Sequence, residues 1–140
     1  MLTFVLLASV LVFGGGSASA QEIVQEQPDK TPETTQTSNF NYVAQPGDSY
    51  SLMARKAIQT YGITNKVNLS NAQIIFAETN LTQAAGSPVL VKGQKVEIKQ
   101  ADVKNWIEKA QKLTKEQQAA WDVYAKNANF NTNNVGQPSK

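Results

Sequence analysis

The stretch YVAQPGDSYSLMA, residues 42–54, predicts a short strand, a tight turn and the start of a helix. Its first three residues favour a strand, which the turn-forming pair Pro46-Gly47 ends. Asp48 or Ser49 is then placed to cap the helix, because either side chain can accept a hydrogen bond from a free amide of the first turn. Apolar side chains at positions 53, 54, 57, 58 and 61 share one face of this helix, and Gly62 is placed to end it.

A second helix and a second strand follow in the sequence. Ser70 and Gln73 form a capping box, and the apolar residues after them give this helix a buried side. We expect the helix to end near Asn80 and to be followed by a loop. Residues 95–99 alternate between polar and apolar side chains, which is typical of a half-buried strand. The order strand, helix, helix, strand predicts an α+β domain at residues 40–99, in which a two-stranded antiparallel sheet packs on two helices.

Two additional helices are predicted C-terminal to this unit, at residues 100–126. An amphipathic stripe carries Trp106, and a capping box that begins at Thr114 precedes a helix that carries Trp121. A unit as small as the βααβ segment buries little apolar surface by itself. We therefore expect the added helices to cover it with both tryptophans. The Asn-rich residues 127–140 are predicted to form a disordered tail.

The N-terminal residues predict export from the cell. Residues 1–20 are mostly apolar and end in Ala-Ser-Ala, a pattern that signal peptidase cleaves, so the mature chain is expected to begin at Gln21. An uncleaved anchor remains the alternative, because no basic residue precedes the apolar run. Residues 21–39 are rich in Gln, Glu, Thr and Pro, and are predicted to be a disordered linker. The expected location is secreted or associated with the cell envelope, and the membrane is contacted only transiently.

The composition excludes several classes of chemistry. The sequence has no cysteine and no histidine, which removes thiol nucleophiles, disulfides, Ser–His triads and nearly all zinc sites. An exported chain without disulfides fits a bacterial source. A net charge of +2 is too small to indicate a nucleic-acid partner. Glu78, Glu97 and Asp102 form no recognisable acid/base motif, so we expect neither an enzyme nor a cofactor or metal.

Two motifs resemble the LysM family. The first is residues 42–54, similar to the family's opening Y-x-V-x-x-G-D-S/T-L-x-x-I-A, and the second is LVKGQKVEI, residues 90–98, similar to its closing L-x-x-G-Q-x-L-x-I. The likeness covers about residues 41–99, and the family's βααβ order matches the order predicted above. Such domains bind glycans that contain N-acetylglucosamine, such as peptidoglycan and chitin. The resemblance thus implies a non-catalytic glycan-binding module of the bacterial cell wall.

The resemblance also implies a groove between two walls. One wall is the loop between the first strand and the first helix, and the other follows the second helix. Carried to this sequence, the walls comprise Gly47, Asp48, Ser49 and Tyr50 on one side, and Asn80, Leu81, Thr82 and Gln83 on the other.

Departures from the family pattern leave a second interpretation open. The second helix of the family usually ends in Ala-Asn, and here either Glu78 replaces that Asn or the register is shifted to Asn80. Tyr50 replaces a Leu, and residues 63–69 resemble an insertion. The alternative is a LysM-derived envelope scaffold that binds a protein partner and has lost its affinity for glycan.

Overall fold

The computed structural model describes residues 38–138, which form an α+β domain with four helices and three short strands. In chain order the elements are β1 (Phe40–Val43), α1 (Tyr50–Asn65), α2 (Asn71–Ala84), β2 (Lys95–Ile98), α3 (Gln100–Gln111), α4 (Lys115–Ala125) and β3 (Gln137–Pro138). The predicted α+β class, the strand, helix, helix, strand order and the two added helices are confirmed. The predicted signal at 1–20 and residues 21–37 of the predicted linker lie outside the described residues.

The sheet contains three antiparallel strands in the order β2-β1-β3, so the prediction of two strands is wrong. Phe40 lies opposite Ile98 and Val43 opposite Lys95, which aligns β1 with β2 over its full length. On the other edge of β1, Tyr42 and Val43 pair with Pro138 and Gln137. Strand β3 was not predicted because two residues are too few to show an alternating pattern.

Side-chain caps fix where the helices begin. The Ser49 hydroxyl accepts a hydrogen bond from the Leu52 amide at the start of α1. Capping boxes begin α2 at Ser70 and α4 at Thr114, as predicted.

Helix α1 continues past Gly62, which was predicted to end it. The helix ends at Asn65, and Lys66 adopts the left-handed conformation after it. The Val67 amide bonds to the Gly62 carbonyl at 2.8 Å, and a Cβ at Gly62 would lie 3.0 Å from the Val67 carbonyl oxygen. Gly62 therefore permits a close approach of the α1–α2 connection and does not supply a positive φ.

The added helix α3 belongs to the same core as the βααβ unit. The largest fully buried side chains come from α1, β2 and α3, and comprise Met53, Ile58, Ile98, Val103 and Ile107. Phe76 on α2 contacts both tryptophans edge-on, with ring centroids 6.1 Å from Trp106 and 5.5 Å from Trp121. Both added helices thus pack on α2 through aromatic contacts.

Residues 127–138 pack against the domain, in contrast to the predicted disordered tail. Thr132 and Val135 are buried, with 7% and 8% of their surfaces exposed. Composition alone predicted disorder because this segment has few apolar residues. Its backbone is instead held by side chains of α1, described below.

Candidate ligand-binding site

The turn between β1 and α1 is closed by Asp48. Its carboxylate accepts a hydrogen bond from the Gln45 amide at 2.8 Å, and its own amide donates to the Gln45 carbonyl at 3.0 Å. Gly47 has a φ of +87°, which suits glycine at the corner of this turn. The same Asp48 oxygen accepts a second hydrogen bond, from the Gly136 amide at 2.8 Å. Asp48 is therefore a turn-closing residue, and the α1 cap is Ser49 alone.

The second predicted wall is part of a helix and not a loop. Helix α2 runs to Ala84, because the helix-favouring Ala84 and Ala85 follow Asn80 and the first breaker is Gly86. The side-chain Nδ2 of Asn80 donates to the Phe76 carbonyl at 2.7 Å. The Thr82 hydroxyl donates to the Glu78 carbonyl at 2.8 Å.

The other two residues of this wall, Leu81 and Gln83, differ in their exposure to solvent. Leu81 is buried and Gln83 is exposed. Of the four, Leu81 is the one that reaches the pocket described next.

Tyr50 and Leu81, one from each predicted wall, line the same pocket of about 220 Å³. The pocket lies where the start of α1, the end of α2, the end of β2 and the first turns of α3 meet. Its remaining lining residues are Ala84, Ala85, Glu97, Ile98, Lys99, Asp102 and Trp106. Gly47, Asp48, Ser49, Asn80, Thr82 and Gln83 do not line it.

Helix α3 supplies a wall that the two motifs did not indicate. Only Lys99 separates β2 from α3, so the first turn of α3 begins beside the end of the strand. This short connection brings Asp102 and Trp106 to the pocket. The amphipathic spacing of α3 was visible in the sequence, but it identified Trp106 as a packing residue only.

The pocket combines an aromatic surface with charged groups. Glu97 and Asp102 supply carboxylates, and Lys99 supplies an ammonium group. Burial raises the pKa of Tyr50, and the negative charge of Asp102 raises this pKa further. The Tyr50 hydroxyl thus keeps its proton near neutral pH and can act as a hydrogen-bond donor. The Lys109 ammonium lies 4.1 Å from the centroid of the Trp106 ring.

Glu78 lies apart from this pocket, in a buried ion pair with Arg55. The guanidinium donates to both carboxylate oxygens, at 2.6 and 2.8 Å, and both side chains are less than 10% exposed. Burial raises the pKa of Glu78, although the hydrogen bond and charge of Arg55 act in the opposite direction. Arg55 also donates to the Asn129 carbonyl at 2.6 Å. The pair thus joins α1 to α2, and Arg55 also joins α1 to the C-terminal residues.

A larger open groove of about 770 Å³ lies along α1 and contains none of the predicted site residues. It is bordered by the second half of α1, by the α1–α2 connection and by residues 130–133. Lys56 and Lys66 are its charged lining residues.

Comparison with known proteins adds no information on this site. The chain matches no protein-family model, no curated protein and no solved structure. Between residues 38 and 138, no three Asp or Glu side chains lie close enough together to hold a metal ion. Across the same residues, no helix has both the length and the apolar character needed to cross a membrane.

Proposed function

We propose that this chain is an exported bacterial protein whose folded domain binds a cell-wall glycan containing N-acetylglucosamine, without catalysis. Peptidoglycan is the proposed ligand. The observation that supports the proposal is the pocket that Tyr50 and Leu81 line together, because each residue comes from a different wall of the groove that the LysM resemblance implies.

The chemistry of the pocket suits an amino sugar. An N-acetyl group presents one amide donor, one carbonyl acceptor and one methyl group. The Asp102 or Glu97 carboxylate can accept from the amide or from sugar hydroxyls, and the Tyr50 hydroxyl can donate to the carbonyl. Ala84 and Ala85 provide small apolar surfaces for the methyl group.

The size of the pocket favours weak binding at a single site. Pockets that enclose drug-sized ligands have volumes of about 300–1,000 Å³, and this pocket, at about 220 Å³, is smaller. It suits one sugar unit of a polymer whose remaining units stay in solvent. Because few ligand atoms lose water, the expected affinity per site is low.

Sedimentation with insoluble peptidoglycan and with chitin tests the proposal. Residues 21–140 are expected to sediment with at least one polymer, and Asp102→Asn and Glu97→Gln are each expected to weaken binding roughly tenfold, the value of one charged hydrogen bond. The matched control is Glu116→Gln, an exposed carboxylate on α4 that does not line the pocket. No retention of a protein with native circular dichroism would refute glycan binding. The release of new reducing ends would refute the absence of catalysis.

An exposed apolar surface on α4 favours a second candidate, the scaffold that binds an envelope protein. Val123 and Tyr124 are 61% and 68% exposed. Aromatic side chains such as Tyr124 are enriched at protein interfaces. If this candidate is correct, Val123→Ser with Tyr124→Ser abolishes a crosslink to an envelope protein, while Asp102→Asn leaves that crosslink unchanged.

A further inference from the structure

Residues 129–138, the C-terminal segment, lie in a groove formed by α1 and the outer edge of β1. The segment contains ten residues, none of them charged, and only the last two form a strand. Residues Lys126 to Ala128 connect it to the end of α4. The segment is therefore an uncharged peptide, with a turn in which the Val135 amide bonds to the Thr132 carbonyl, attached to the domain by a short connection.

Side chains of the domain recognise the backbone of this segment. Arg55 donates to the Asn129 carbonyl at 2.6 Å, and the side-chain Nε2 of Gln59 donates to the Phe130 carbonyl at 2.9 Å. Contacts to backbone atoms do not depend on which side chains the bound segment carries.

The same pattern continues toward the end of the segment. The Lys56 ammonium donates to the carbonyls of Val135 and Gly136, at 2.5 and 3.1 Å. Asp48 accepts from the Gly136 amide. Pairing of β3 with the edge of β1 then extends the sheet by one strand. Strand addition combined with main-chain hydrogen bonds is a common mode of peptide recognition.

At a few positions of the segment, contacts with the domain also depend on which side chain is present. The Thr132 hydroxyl donates to the Gln59 side-chain oxygen at 2.7 Å, and Val135 is buried. The Arg55 guanidinium lies 5.3 Å from the centroid of the Phe130 ring. Gly136 packs so closely on Tyr42 that a Cβ would lie 3.0 Å from the Tyr42 Cβ. The groove thus selects the pattern Phe-x-Thr-x-x-Val-Gly.

We propose that this groove is a binding site for an uncharged polypeptide segment with that pattern, and that the chain's own C-terminal segment fills it in the absence of a partner. Most of the hydrogen bonds that hold the segment come from side chains of Asp48, Arg55, Lys56 and Gln59. A segment of this kind belongs to the least stable parts of a fold and opens before the core does. A partner peptide binds when the C-terminal segment leaves.

The short connection determines how such a site behaves. A segment attached through a few residues has an effective concentration in the millimolar range. A free peptide of equal intrinsic affinity therefore competes poorly with it. Weakening the attached segment, with the groove unchanged, removes this competition and strengthens binding of the free peptide.

The test is titration of a fluorescein-labelled synthetic peptide, residues 129–138, into the full chain, followed by fluorescence anisotropy. Phe130→Ser with Val135→Ser in the chain is expected to tighten peptide binding at least roughly tenfold relative to the unmodified chain, because the attached competitor is weakened. Adding Lys56→Ala and Gln59→Ala to that variant is expected to abolish binding. A scrambled peptide is the sequence control. If the first variant retains its circular dichroism spectrum but binds no peptide, the proposal is refuted.

A second measurement applies if the double substitution unfolds the domain. A protease site inserted between Asn127 and Ala128 allows the full chain to be cut after it has folded. The cut segment is expected to stay associated in gel filtration and to exchange with the labelled peptide. Unfolding on cleavage, or a cut segment that never exchanges, would show that the segment is a fixed part of the fold and would overturn the proposal.

Discussion

The carboxylate of Asp48 accepts a hydrogen bond from the backbone amide of Gly136 at 2.8 Å, although 88 positions separate them in the chain. The same oxygen closes the β1–α1 turn through the Gln45 amide. One side chain therefore joins the motif that opens the domain to the segment that completes its sheet. Removal of this carboxylate is therefore expected to weaken both the opening turn and the attachment of the C-terminal segment.

Replacing Asp48 tests this coupling. Asp48→Ala leaves the amides of Gln45 and Gly136 without their acceptor, and is expected to lower the free energy of unfolding by about 1–3 kcal/mol. Asp48→Asn keeps a side-chain oxygen and is expected to cost less. Urea unfolding measures both changes, and hydrogen exchange of the Gly136 amide reports the local contact.

Ser49→Ala is the matched control for Asp48. Loss of this helix cap is expected to cost about 1 kcal/mol while the Gly136 amide keeps its protection. Unchanged exchange of that amide in Asp48→Ala would contradict the proposed link between the turn and the segment.

Comparison of two glycines distinguishes the effect of backbone strain from the effect of a steric clash. Gly47 and Gly136 both have positive φ, +87° and +54°. Nothing lies within 4 Å of a Cβ built at Gly47, whereas a Cβ at Gly136 would meet Tyr42 at 3.0 Å. Alanine at either position incurs the left-handed backbone cost of about 1–2 kcal/mol, and only Gly136→Ala adds a clash.

We therefore expect Gly136→Ala to destabilise the protein more than Gly47→Ala, measured by urea unfolding. It is also expected to increase hydrogen exchange in the β1–β3 pair. Equal destabilisation by the two substitutions would mean that the segment moves away from Tyr42 without cost.

The elements that were predictable from the sequence are those fixed by neighbouring residues. The capping boxes at Ser70 and Thr114 satisfy amides three residues away, so their spacing alone locates the helix starts. Alternation in residues 95–98 likewise identifies β2, because every second side chain is buried. Local geometry determines both kinds of signal.

The features that the sequence did not reveal depend on residues far apart in the chain. Glu78 pairs with Arg55, which lies 23 positions away in the chain. Strand β3 pairs with β1 directly after residues 135 and 136, whose carbonyls accept hydrogen bonds from Lys56 on α1. The candidate site follows the same rule. Tyr50 and Leu81 were named as groove-wall residues from the family resemblance, whereas Trp106 reaches the pocket through the packing of α3.

Replacing only one member of the buried pair Arg55 and Glu78 is expected to destabilise the protein strongly. Arg55→Met leaves a buried carboxylate without its partner, and removing one member of such a pair costs about 3–5 kcal/mol. Adding Glu78→Leu removes the buried charge as well, so the double variant is expected to be more stable than Arg55→Met alone. Urea unfolding of the four proteins in the cycle measures the coupling. Additive losses would contradict a direct interaction.

The stability of the Arg55→Met variant is also expected to depend on pH. Arg55 supplies both effects that oppose the burial-raised pKa of Glu78, so its removal raises that pKa further above the ordinary value of 4.5. Above that value the unfolded chain loses a proton that the folded chain keeps. The stability of the variant is therefore expected to fall as pH rises from 4.5, and more steeply than that of the unmodified protein. Parallel stability curves would contradict this expectation.

Ionisation of Tyr42 is expected to cause a second, independent change of stability with pH. Burial raises its pKa from 10.0 to about 12, partly offset by a hydrogen bond with Thr60. The folded protein therefore holds the Tyr42 proton more tightly than the unfolded chain, so its stability contribution is present below pH 10 and falls as pH rises from 10 to 12. Two pKa units correspond to roughly 2–3 kcal/mol.

Tyr42→Phe removes the ionisable group and keeps the ring that packs on Gly136. Between pH 10 and 12, unfolding free energies of the unmodified protein are expected to fall more steeply than those of this variant, by up to that amount. Tyr124→Phe is the control, because Tyr124 is 68% exposed and its substitution is expected to leave the slope unchanged. If Tyr42→Phe and the unmodified protein lose stability in parallel, the pKa of Tyr42 does not differ between the folded and unfolded chains, which would contradict its burial in the sheet.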